Sequence, residues 1–187
     1  MKFRQTWTAV RALLILTVVL GVVYPLTITL VGQVALPTQA NGSLLRQGDE
    51  IIGSSLIGQS FADADGVALP EWFQSRPSAA GYDASASSGS NYGPENPDLI
   101  EAIESREGST PDALTASASG LDPHISPENA LEQVQRVADA RGLDSASVRS
   151  LVESMIQGRD LGFLGEPRVN VLELNARLAE LDGSATH

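Results

Sequence analysis

Apolar and polar positions follow three different patterns along this chain. From Ala12 to Leu36 the sequence reads ALLILTVVLGVVYPLTITLVGQVAL, with no charge between Arg11 and Arg46. As a helix at ~1.5 Å per residue this run reaches about 37 Å, enough to cross a hydrocarbon core of ~30 Å with some tilt. It is longer than the roughly 7–15 residues of a secretory signal's apolar region, and Thr38-Gln39-Ala40 is a poor cleavage site. A retained transmembrane helix is therefore predicted over 12–36. Thr17, Gly21, Tyr24, Ile28 and Gly32 recur along it at helical spacing. Their small and polar groups would share one face suited to packing against another helix in lipid. Pro25 frees a carbonyl one turn earlier and predicts a kink.

Beyond the span the texture changes twice. Residues 37–120 are rich in Ser, Gly, Ala and Pro, with short apolar runs such as EIIGSSLIGQSF and ALPEWF. These read as brief strands separated by turns. Asn96-Pro97 opens a helix carrying Leu99, Ile100 and Ile103. From 121 the period is helical. Ser126-Pro127-Glu128 supplies an N-cap, a first-position proline and a first-turn acid, and Gly142 is placed to end that helix. Asp144 caps a second helix bearing Val148, Leu151, Val152, Met155 and Ile156, which Gly158 would stop. Val169-Asn170-Val171 reads as a short strand before a last helix striped by Leu174, Leu178 and Leu181. The fold class expected is α+β: one N-terminal transmembrane helix, then a compact extracytoplasmic domain of short strands and several helices. The corresponding boundaries are 1–11, 12–36 and 37–187.

Charge gives this layout a direction. Lys2, Arg4 and Arg11 precede the span, and no acid occurs before Asp49. The positive-inside rule then keeps the N-terminus in the cytoplasm and places the domain outside. Nine arginines against 23 acids leave that domain at −14. Such a balance argues against a nucleic-acid partner and against attraction to anionic lipid. With no cysteine in the chain, disulfides, thiolate metal sites and cysteine nucleophiles are excluded.

Candidate chemistry is sparse. Asp122-Pro123-His124 offers two ligands of the three or four that a zinc site needs. Ser119 lies near this pair, but no G-x-S-x-G elbow surrounds any serine. His187 is the other imidazole. Ser88-Gly89-Ser90-Asn91-Tyr92-Gly93 could present backbone N–H groups to an anion. It lacks the lysine and the following helix of a phosphate loop, and it suits a tight turn equally well. No catalytic residue, metal site or cofactor of the chain's own is expected. A membrane-tethered hydrolase and a solute-binding module on a stalk remain the alternatives from other classes.

Several segments together carry a resemblance. RPSAAGY at 76–82, SGSNYGPENP at 88–97, SGLDPHISPENA at 119–130, RVADARGL at 136–143 and VNVLELN at 169–175 stand in order behind a span containing GVVYPL. The chain resembles the C subunit of the bacterial Kdp potassium-transporting P-type ATPase, the KdpC family. Tyr92 stands where that pattern has leucine, and Ser88-Gly89 replaces a second glycine before Ser90. The resemblance implies a non-catalytic accessory subunit in the inner membrane, needed for assembly. Its partners would be a channel-like, potassium-binding A subunit, an ATP-hydrolysing B subunit and a small F subunit. It also implies a catalytic chaperone that raises the B subunit's affinity for ATP. ATP and potassium then belong to the complex, and the candidate nucleotide or partner contacts are Ser88, Gly89, Ser90, Asn91, Gly93, Ser119, Gly120, Asp122 and His124. The charge-derived topology places those loops outside, away from cytoplasmic ATP. Either coupling through the span or a role at the external potassium entrance would resolve this. A reporter fused after His187 should be active only in the external compartment. Protection of the C-terminal domain from protease in spheroplasts would reverse the orientation.

Overall fold

The computed structural model describes residues 2–181; His187 lies outside the described residues. The chain divides into two units, 1–44 and 45–187. The first is dominated by a helical run over Phe3–Ala35, long and apolar enough to cross a membrane. Helicity begins well before Ala12, so Arg4 and Arg11 extend the helix on its polar end. The run comprises α1 (Lys2–Val18), a wider π turn (Val19–Val23) and α2 (Tyr24–Ala35). Pro25 explains the interruption, because it cannot donate to the ladder. In the wide turn the Tyr24 N–H reaches back five residues to the Val19 carbonyl. The Thr27 and Thr29 hydroxyls donate to the carbonyls of Val23 and Pro25, at 2.8 and 2.9 Å. Leu36 leaves helical geometry at φ −139°, and Pro37 opens the single turn α3 (Pro37–Ala40). The side-chain amides of Gln33 and Asn41 then pair reciprocally, at 3.3 and 3.1 Å.

The second unit is built around a helical hairpin and a returning helix. α6 (Pro127–Arg141) begins at Ser126, whose hydroxyl accepts the Asn129 N–H at 3.1 Å, and ends at Gly142 in left-handed geometry. The Leu143 N–H reaches the Ala138 carbonyl at 2.9 Å, closing the helix end as that capping turn requires. α7 (Ser145–Ser154) starts at Asp144, which accepts from the Ser147 N–H at 3.0 Å. It stops before Gly158, since Gln157 and Arg168 exchange two backbone hydrogen bonds that draw the chain out of helical geometry. α8 (Val171–Leu181) lies across this pair, and Val134, Val137, Val148, Val152, Leu174 and Leu178 fill the space between them. Burying each such side chain contributes about 1.5–3 kcal/mol.

Strands are few and short. β1 (Leu44–Gln47) and β2 (Glu50–Ser54) form a hairpin over Gly48-Asp49. β3 (His124–Ile125) pairs antiparallel with β4 (Val169–Asn170), setting His124 opposite Asn170. The remaining helices are α4 (Pro97–Glu104), capped by Asn96, and the single turn α5 (Pro111–Leu114). The α+β assignment holds, with less strand than the apolar runs suggested.

ALPEWF is the main departure, because it forms a turn and no strand. Most of its carbonyls are satisfied by side chains, from α6, α8 and the adjacent Gln74, and not by a neighbouring strand. Arg136 donates to the carbonyls of Leu69, Pro70 and Trp72 at 3.3, 2.6 and 3.1 Å. Arg141 donates to the Glu71 carbonyl at 2.7 Å and lies 4.1 Å above the Trp72 ring. The segment then enters the core at Phe73, which is fully buried. There Asn175 of α8 accepts the Phe73 N–H and donates to the Phe73 carbonyl, each at 2.9 Å. Asn175→Leu should therefore leave two buried backbone groups unpaired, at about 1–3 kcal/mol each. Chemical denaturation should show a loss of roughly 2–6 kcal/mol; wild-type stability would mean the pair contributes nothing.

Candidate functional site

The two polar loops noted in the sequence are in contact, and the contact is made largely by backbone. The Ser87 hydroxyl donates to the Ser119 carbonyl at 2.9 Å, and the Ser78 hydroxyl to the Gly120 carbonyl at 2.7 Å. A Cβ at Gly89 would stand 2.7 Å from the Ala118 carbonyl oxygen, and one at Gly120 would stand 2.5 Å from that of Ser88. Gly120 also holds φ +69°, so both its conformation and its surroundings require glycine. Ser119 is exposed and engaged locally, meeting the Ser117 hydroxyl at 3.2 Å and accepting the Leu121 N–H at 3.1 Å. It does not reach His124. The outer part of the first loop is different. Ser88, Ser90 and Gly93 are exposed. Asn91 takes a left-handed φ of +54° and folds its amide onto the Gly89 carbonyl at 3.0 Å.

Asp122 and His124 lie beside residues the sequence reading did not single out. Arg76 stands 3.6 Å from the Asp122 carboxylate, and His124 Nδ1 stands 3.7 Å from it. Asp122 also accepts the His124 N–H at 3.0 Å, which turns the chain over Pro123 into β3. Burial disfavours the Asp122 charge, but hydrogen bonds from the His124 side chain and backbone and the charge of Arg76 outweigh it. The pKa is held below the ordinary 3.8. Behind them, the Tyr82 ring packs where a Cβ on Gly58 would lie 2.5 Å away. Burial pushes the Tyr82 hydroxyl up to about 12, and it donates to the Arg76 carbonyl at 2.7 Å.

Arg76, Asp112, Asp122, His124, Ser126 and Arg168 line one open groove of about 740 Å³. Asp112 is its second fixed carboxylate. It accepts the Ser126 N–H and hydroxyl at 2.7 and 2.9 Å, and Ser126 in turn caps α6. Asp112 likewise titrates below 3.8: burial opposes its charge, and the Ser126 bonds prevail. Opposite His124 in the β3–β4 pair, the buried Asn170 accepts the Glu173 N–H at 3.1 Å, capping α8, and donates to the Ser55 carbonyl at 2.8 Å. Among the described residues no three or more His, Asp or Glu side chains converge as a metal site would need. The arrangement binds its own backbone, its serine Ser126 is tied to Asp112 as a helix cap, and among the described residues no serine is hydrogen-bonded to His124.

Thr17, Gly21, Tyr24 and Gly32 are exposed except for Gly32's near neighbourhood, where a Cβ would meet Ala40 at 3.6 Å. Gly21 falls inside the π turn, with open space around it. A wide turn offsets the halves of a helical stripe by up to one residue's rotation, about 100°. Thr17 thus keeps less strict register with Tyr24 and Gly32 than regular spacing implied.

A protein family described as the K+-transporting ATPase c chain, KdpC, matches residues 6–180, spanning both units. The chain belongs to the KdpC family. Among its curated relatives is a potassium-transporting ATPase KdpC subunit of Kineococcus radiotolerans, 50% identical, covering 94% of this chain and 93% of its own. The similarly named proteins of Herpetosiphon aurantiacus and Caulobacter vibrioides are 50% and 51% identical, covering 92% and 87% of this chain and 94% and 86% of theirs. Coverage of this order extends the likeness through the apolar helix as well as the folded unit. In this family member the groove should report on acid. Asp112 and Asp122 have lowered pKa values, so their stabilisation is complete above the unfolded value near 3.8. It is lost as pH falls through their folded values. Asp122→Asn should flatten the acid limb of a stability-against-pH profile below about pH 4; an unchanged limb would remove Asp122 from that balance.

Proposed function

We propose that this chain is a non-catalytic accessory subunit of an ATP-driven potassium uptake complex in the bacterial inner membrane. Near full-length membership of the KdpC family carries the reading. Its partners are the potassium-binding A subunit, the ATP-hydrolysing B subunit and the small F subunit. The N-terminus lies in the cytoplasm and the acidic domain outside, in keeping with the placement of Lys2, Arg4 and Arg11.

The chain's work is assembly and support, and its polar loops form a partner-facing platform. Gly89 and Gly120 bring the loops within backbone contact, and the serine hydroxyls at 78, 87 and 119 are engaged in holding them. Any increase in the B subunit's affinity for ATP then acts at a distance, through the span, and not by loop contact with nucleotide. The π turn beside Pro25 supports such transmission, because a break in the helical ladder is a place where one helix can hold two arrangements.

The loops decide between this and direct nucleotide contact. In fully assembled, stoichiometric complexes, Ser90→Ala and Asn91→Ala should leave the ATP concentration for half-maximal activity unchanged. A severalfold rise with normal assembly would show that the loop contacts nucleotide, and the platform reading would fall.

A further inference from the structure

The segment between α7 and β4 is a small, stiff finger with an apolar tip. Gln157 and Arg168 exchange backbone hydrogen bonds at 2.8 and 3.0 Å, and Asp160 and Leu164 exchange two more at 2.9 Å each. Two ion pairs close its neck, Arg159 with Glu166 at 2.5 Å and Arg168 with Asp160 at 3.6 Å. At the tip, Leu161 holds φ +53° between these pairings, with Gly162 at +83° and Gly165 at +74°. Leu161, Phe163 and Leu164 are 83%, 70% and 49% exposed. A bulky apolar side chain held outward in a left-handed conformation has nothing to gain from the chain's own fold. Exposed apolar clusters rimmed by charge mark interaction sites on soluble domains.

The charges around the finger indicate its occupant. Arg159, Asp160, Glu166 and Arg168 cancel in their two pairs, so the tip can leave water without stranding a charge. The remainder of the domain is strongly acidic, at −14 beyond residue 37. Anionic headgroups would repel that surface within a Debye length of ~8–10 Å. A second copy is equally unsuited, since three side chains fall far short of the ~800 Å² per partner of a stable interface. A protein socket with an apolar floor and a basic rim satisfies both the tip and its surroundings. We propose that residues 159–168 are a preformed docking finger, whose Leu161, Phe163 and Leu164 enter such a socket on the external face of a membrane-embedded partner subunit. This rests on the chain's membership of a transport complex. Preorganisation matters to the fit, because little ordering remains to be done on binding.

The test uses the full chain produced with the other subunits in membranes. The photo-reactive amino acid benzoylphenylalanine in place of Phe163 retains an aromatic ring and should cross-link to one larger partner chain. The same group at Val67, 62% exposed on another loop, should not. Phe163→Ser with Leu164→Ser should speed loss of the chain from the solubilised complex about tenfold, as for a central apolar anchor, with an unchanged melting transition. Cross-links to lipid, to a second copy or to nothing, while the wild-type chain still co-purifies with the larger subunits, would overturn the finger and leave complex membership standing. Absence of any co-purifying chain would overturn both.

Discussion

A buried amide on α8 governs how the folded unit is put together. The stretch from Gln59 to Tyr82 has a single antiparallel bridge, Ala62 with Ala68, and no strand, so most of its backbone has no ladder to satisfy it. Asn175 closes both polar groups of Phe73 inside the core, and Gln133 and Gln74 exchange side-chain-to-backbone bonds one residue later, at 2.7 and 3.1 Å. Arg136 and Arg141 then collect the carbonyls of the preceding turn. The hairpin of α6 and α7 with α8 thus acts as a template, and the irregular segment is held by side chains where a sheet would have used its own main chain. Arg76, three residues after Phe73, reaches the groove from that attachment.

The helices were legible because their ends carry local chemistry. Ser126, Asp144 and Asn96 accept the N–H groups that capping predicts, and Gly142 takes the left-handed geometry expected of a helix end. The strands were less legible. EIIGSS forms one, whereas ALPEWF does not, and its fate depends on arginines some 65 to 70 residues away. Composition and period carry no record of such distant donors. Likewise the end of α7 depends on Gln157 meeting Arg168, which no local pattern announces.

The candidate site was half visible. Asp122, His124 and the two glycine-bearing loops stand out as a motif, and the fold brings them side by side. Arg76, Asp112 and Tyr82 were missed as members, since each reaches the site through the fold and not through a local motif around Asp122. Arg76 and Tyr82 did lie within the RPSAAGY segment that carried the family resemblance. Asp112 follows a proline in a helical first turn, where an acid is ordinary, and only its hold on Ser126 distinguishes it.

The contact at Gly89 and Gly120 has a mechanical meaning. Side chains between two surfaces act as compliant pads, because they can change rotamer and absorb small displacements. At Gly89 and Gly120 no side chain of either glycine intervenes, and main chain comes close to main chain, with the Ser78 and Ser87 hydroxyls tying the segments together. A shift of a few tenths of an ångström in the segment at 88–89 presses directly on the one at 118–120. At those two points the glycines leave little room for one loop to move independently of the other.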